Sequence, residues 1–145
     1  MSIQPFWTNL ILTGHKKIEV RKNLPKDFLN PFIPFKVYIY ETKSPYYKNS
    51  GKVVGEFYCL GYKTYLYNKN KDYYENFTEY EVCKEPEEAR YYEACLTKEK
   101  FEEYGKEKPL YGLIIDCVKL YDKPKDLSEF GLNRAPQSWC YVEEK

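Results

Sequence analysis

A chain of 145 residues is long enough to bury one hydrophobic core, and a single domain spanning 1–145 is expected. A formal net charge of +1 excludes a protein held to nucleic acid or anionic membrane by bulk charge, and no apolar run reaches membrane length. Five cysteines without a CxxC pair and one histidine argue against a disulfide framework, a zinc site and most histidine-based catalysis.

No metal and no cofactor are therefore expected. With no signal-peptide pattern at the start, the expected setting is reducing and cytoplasmic. The charge is unevenly spread. Residues 1–71 hold 12 Lys/Arg against 4 Asp/Glu and residues 72–145 hold 11 against 18, so an anionic ligand is better sought in the first half. There are 17 Tyr to 8 Phe, which favours core edges and grooves, where a ring is covered and its hydroxyl is not.

In chain order, Pro5 suits the first turn of a helix whose apolar stripe is Phe6, Leu10 and Ile11, and Gly14 is placed to end it. "KKIEVR" alternates as a strand with Ile18 and Val20 facing inward. "KNLPKDFLNPFIP" reads as a loop, "FKVYIYET" as a strand and "SPYYKNSG" as a turn. "KVVGEFYCLGYKTYLY" is one long strand or two broken at Gly61, while 68–82 has no clear period. From Pro86, "PEEARYYEACL" turns helical, and Thr97 can cap a second short helix ending at Gly105. "LYGLIIDCVKLYD" is the most apolar stretch and should be a central strand. "DLSEFG" fits one helical turn, and "SWCYVE" reads as a last strand. The order is α+β, not the alternation of a doubly wound sheet.

One short stretch concentrates chemistry. Within a few residues of Gly14 the chain places Lys16, Lys17, Glu19 and Arg21, the last two on one strand face. Lys16 and Lys17 can serve as point charges toward phosphate, and Arg21 offers a planar fork for two acceptors. Glu19 would repel phosphate, so it either holds Arg21 or accepts from a base amino group. Trp7 and Trp139 can stack a base or fill the core; Gln4 and Gln137 can read a base edge, with Ser138 beside them. Lys43, next to Thr42, lines the same cleft or merely sits in a turn. Glu56, in an otherwise apolar strand, needs a partner if it points inward, with Lys16 or Arg21 as candidates. Against all of this, a Glu-x-Arg pair on one strand face is often only an exposed ion pair. The tyrosine-rich "YLYNKNKDYYENFTEY" fits a protein-binding surface, a ligand lid or, preferably, a coding bias toward Lys, Asn and Tyr.

"SIQPFWTNLILTGHKKIEVRK" resembles the opening signature of ASCH domains, a branch of the PUA-like fold. That signature is a segment ending in Pro and an aromatic, a helix, then G-x-K-x-x-E-x-R, matched by Gly14, Lys16, Glu19 and Arg21. "YIYETK", "GKVVGEF", "LYGLIIDCVKLYD" and "PQSWCYVEE" are also similar to strands of small phage and prophage ASCH-like proteins, leaving 62–105 as a variable insert. The resemblance implies a β-barrel-like fold of five or six mixed strands with an N-terminal helix and short inserted helices. It implies a cleft at the turn between the first helix and the next strand, binding RNA, a modified base or a small nucleotide. It also implies a hydrolase alternative, an N4-acetylcytidine amidohydrolase or ribonuclease, with Lys16 as nucleophile or base and Glu19 or Glu56 as acid/base. The amidohydrolase threonine falls where Glu19 stands here. A third reading keeps the fold as a protein-interaction module.

Overall fold

The computed structural model describes residues 1–26, 34–77 and 88–143. Its elements are β1 (Ser2–Ile3), α1 (Pro5–Leu12), β2 (Ile18–Arg21), β3 (Phe35–Glu41), β4 (Val53–Asn68), β5 (Tyr73–Phe77), α2 (Ala89–Ala94), α3 (Lys98–Gly105) and β6 (Leu110–Lys125). A 3-10 turn, Leu127–Phe130, follows. Strand order is β1-β3-β4-β6-β2, with β5 paired to β4. β1 and β3 run parallel; β2 with β6, and β4 with β5, run antiparallel. Six mixed strands, a leading helix and two helices inserted between β5 and β6 make this the α+β class expected.

Local chemistry explains the element ends. Pro5 sits in the first turn of α1, where its missing N–H costs nothing. Gly14 then takes φ of 79° and donates to the carbonyl of Ile11 at 3.0 Å, closing the helix in a left-handed conformation. Thr97 caps α3 by accepting from the Lys100 amide at 3.2 Å. Asp126 and Glu129 form a capping box on the 3-10 turn. The helix expected from Pro86 is α2, beginning at Ala89; residues 86–87 lie outside those described.

The chain forms two units. The first comprises Met1–Gly14, Lys36–Tyr58 and Cys117–Lys145; the second comprises His15–Phe35 and Cys59–Asp116. In the first, the amides of Tyr40 and Thr42 donate to the carbonyls of Met1 and Ile3, each at 2.9 Å, which builds β1 onto β3. Ile3, Ile11, Ile39, Val53, Val54 and Phe57 are buried. Gly55 lets α1 and β6 come close: a Cβ there would lie 2.9 Å from Leu12 Cδ2 and 2.5 Å from the Lys119 carbonyl oxygen. The expected last strand "SWCYVE" is not one, because residues 139–143 join no ladder. This end of the chain is held otherwise: the Ser2 amide donates to Ser138 O at 2.8 Å and Ser2 Oγ to Pro136 O at 2.6 Å.

In the second unit Ile18 and Val20 pack with Tyr65, Tyr74, Tyr91, Ala94, Phe101 and Leu110. Phe101 is the hub, meeting Tyr65, Tyr74 and Tyr91 edge-on at centroid distances of 5.2, 5.3 and 5.4 Å. Such pairs are worth about 0.5–1.5 kcal/mol each beyond their buried area. Tyr74 sits on β5, in the stretch that had no clear period, and donates to Lys108 O at 2.8 Å. Gly105 makes room for it, since any Cβ there would collide with the Tyr74 phenol. Two tyrosines of the tyrosine-rich stretch, Tyr65 and Tyr74, are fully buried core. Tyr80 lies outside the described residues.

Candidate functional site

The second unit brings Lys16, Glu19 and Arg21 together. Ile18 and Val20 point into the core, so the pleat turns Glu19 and Arg21 to the opposite face of β2. Across the ladder they face Leu113 and Tyr111. Glu19 Oε1 accepts from Arg21 Nη2 at 3.0 Å, and its Oε2 lies 3.6 Å from Lys16 Nζ. Lys16 Nζ also donates to Ala94 O at 2.5 Å, at the end of α2. The last carbonyls of a helix lack intrahelical partners and carry its negative dipole end, so a cation is well placed there.

Burial separates this group from an ordinary ion pair. Lys16 is 3% and Glu19 8% exposed. Burial pushes the Lys16 ammonium below its usual range, and the Glu19 carboxylate opposes that shift, with Cys95 beside it acting in the same sense. The backbone is fixed too. The Lys17 amide donates to Glu93 O at 2.8 Å and its carbonyl accepts from the Ile115 amide at 3.0 Å. The turn is thereby tied to α2 and β6 by main chain as well as by the Lys16 side chain, while the Lys17 side chain is exposed.

Two neighbours were not anticipated. Tyr104, on α3, is 38% exposed; partial desolvation pushes its phenol up, with Arg21 and Glu19 acting in opposite senses and the Lys22 backbone bonding its oxygen. Lys22 Nζ stands 4.6 Å over the Tyr104 ring. The Ala94 carbonyl is the other. A signal for Tyr104 did exist: behind the Thr97 cap, Phe101 and Tyr104 are three apart, so one helix face carries both.

The remaining predicted residues lie in the first unit. Gln4 is the exposed residue before α1, and Trp7 is half-buried on that helix, with its ring 4.8 Å from Phe6. The bonds from Ser2 to Pro136 and Ser138 lay the Gln137–Trp139 segment beside the residues leading into α1. Gln137 is exposed, Ser138 half-buried, and Trp139 meets Tyr141 edge-on at 5.5 Å. Lys43 is exposed on the turn after β3, where its methylenes run past Gly51. Glu56 accepts a hydrogen bond from the Tyr121 hydroxyl. Among the described residues no cluster of three or more His, Cys, Asp or Glu could hold a metal ion, and no helix is long and apolar enough to cross a membrane.

A mixed six-stranded sheet with a leading helix and late inserted helices is an α+β arrangement. Within that class, the chain is similar to the crystal structure of ASCH from Zymomonas mobilis, at TM-score 0.67 and 18% identity over 99% of this chain and 86% of that one. Two structures of point-substituted variants of the same protein match at TM-scores of 0.67 and 0.63, also at 18% identity. These cover 99% and 97% of this chain and 88% and 86% of theirs. No family model matches the sequence, nor does any curated protein. The chain has the ASCH fold, as the resemblance in its opening residues implied.

Proposed function

We propose that the protein is a nucleotide-binding module that holds RNA, a modified base or a small nucleotide at Arg21 and the turn before β2. The observation that carries this reading is the Glu19–Arg21 pair at 3.0 Å in a nearly buried setting. A guanidinium pinned by a carboxylate loses little freedom on binding, which is what a rigid two-acceptor site needs. Glu19 and Lys16 act here as positioning groups. Lys17 and Lys22 supply exposed charge, and Tyr104 a ring beside the fork. The net charge of +1 favours a short ligand over a long duplex, which many phosphate contacts would require. A signal nucleotide sequestered by a phage-encoded protein has that scale.

A second reading rests on Lys16. An amine with a lowered pKa beside a carboxylate can serve as nucleophile or general base, as in an amidohydrolase or ribonuclease. Titration with mononucleotides, cyclic dinucleotides and short single-stranded RNA separates the readings. Binding that falls at least tenfold in Arg21→Ala and Lys16→Ala supports the module; new product by chromatography from RNA or N4-acetylcytidine supports the hydrolase. Full affinity in Arg21→Ala overturns the first.

A further inference from the structure

The first unit contains a cavity of about 490 Å³ that the Lys16 group does not touch. That volume lies within the range of small-molecule sites. Three strands furnish it through the pleat. Lys36 and Tyr38 are two apart on β3, and Tyr121 and Lys125 four apart on β6, so each pair shares a strand face; Glu56 comes from β4. The 3-10 turn adds Glu129 and Phe130, and Glu143 comes from the chain's last described residues.

The lining has three chemistries at once. Tyr38 and Phe130 form an aromatic wall, ring centroids 4.8 Å apart and tilted by 56°. Lys125 Nζ stands 4.8 Å over the Tyr121 ring, and Lys36 Nζ 5.9 Å over that of Tyr38. Three carboxylates line the cavity together with these two ammoniums, and two of them are fixed in place. Glu56 accepts from the Tyr121 hydroxyl, and Glu129 from the Asp126 amide at 2.7 Å.

This mixture selects its occupant. A ligand carrying only phosphate is repelled by three carboxylates, and a simple amine by two ammoniums. A planar ligand with an anionic group at one end and amino donors at the other satisfies both sets, with its ring against Phe130 and Tyr38. We propose that this cavity is a second ligand site, taking a nucleoside monophosphate whose base bears an exocyclic amine. Lys36 and Lys125 meet its phosphate, Glu56 accepts from its amine, and Phe130 covers its base.

Residue-resolved NMR titration of the full chain with AMP and CMP, against IMP and UMP, tests this. Shifts at Tyr38, Tyr121 and Phe130 are expected with AMP and CMP, and affinity about tenfold weaker for the nucleotides lacking the amine. Phe130→Leu, which keeps apolar volume but removes the ring, should weaken AMP roughly tenfold, the scale of one base–aromatic stack. Glu56→Gln should narrow the preference for AMP over IMP, read from the shifts at Tyr38, Tyr121 and Phe130 and not from the residues around Arg21. Equal binding of IMP and AMP overturns the proposal. So does a response confined to Lys16–Lys22 that Arg21→Ala abolishes and Phe130→Leu spares, an outcome that would leave the reading built on Arg21 intact.

Discussion

Two sets of ion pairs in this molecule share residue types but differ in surroundings. Lys52–Asp126 and Lys71–Glu75 close to 2.9 and 2.8 Å, shorter than the 3.0 and 3.6 Å within the Lys16–Glu19–Arg21 group. The short ones are the weak ones. Their lysines are about half exposed, where water competes and salt screens, so such pairs contribute little to stability. Around Glu19 there is little water to stand in for a lost partner, so each charge depends on the others. Separation alone does not rank these contacts; desolvation does.

Glu19→Ala should break that contrast most severely. It leaves the buried Lys16 and the Arg21 guanidinium without their shared counter-charge, and a loss of about 3–5 kcal/mol is expected. Urea unfolding followed by far-ultraviolet circular dichroism, with hydrogen exchange at the β2 amides, measures it. A loss under 1 kcal/mol would put the group on a par with the surface pairs.

Lys16→Met sharpens the comparison by pH. The unfolded chain holds the Lys16 proton up to its ordinary pKa of 10.5, and the native state, with that pKa lowered, gives it up sooner. In the interval between, the unfolded state binds more protons, so Lys16 makes stability rise with pH until both forms are neutral. Lys16→Met should remove this component; because Glu19 keeps Arg21 beside it, stability at neutral pH should fall by less than in Glu19→Ala. Unfolding measured from pH 7 to 11 for both proteins isolates the difference. The smallest effects belong to Lys52→Ala, within about 1 kcal/mol by the same measurement, and to Lys71→Ala, smaller still, both shrinking in high salt.

Much of the fold was legible because it is written locally. Pro5, Gly14 and Thr97 act on their own neighbours, so the ends of α1 and α3 could be read from spacing alone. β1 could not, since two residues carry no period and exist as a strand only through β3. β5 was hidden by tyrosine itself. A residue equally at home in core and rim breaks the alternation on which strand reading depends, and burial of Tyr74 is decided by Gly105 and Phe101, distant in sequence. "SWCYVE" had the alternation, yet its residues join no ladder, and its tie to β1 is the Ser2–Ser138 bond. At the site, the closeness of Lys16, Glu19 and Arg21 followed from their spacing. Their burial did not, because the cover comes from α2 and α3, in the very stretch that the opening motif says nothing about.

The placement of the indoles has a practical corollary. Trp7 and Trp139 are the chain's two tryptophans, and both belong to the first unit. The rings packed around Phe101 are phenols. Intrinsic tryptophan emission therefore originates in the first unit, and unfolding around Glu19 is followed more directly at the β2 amides.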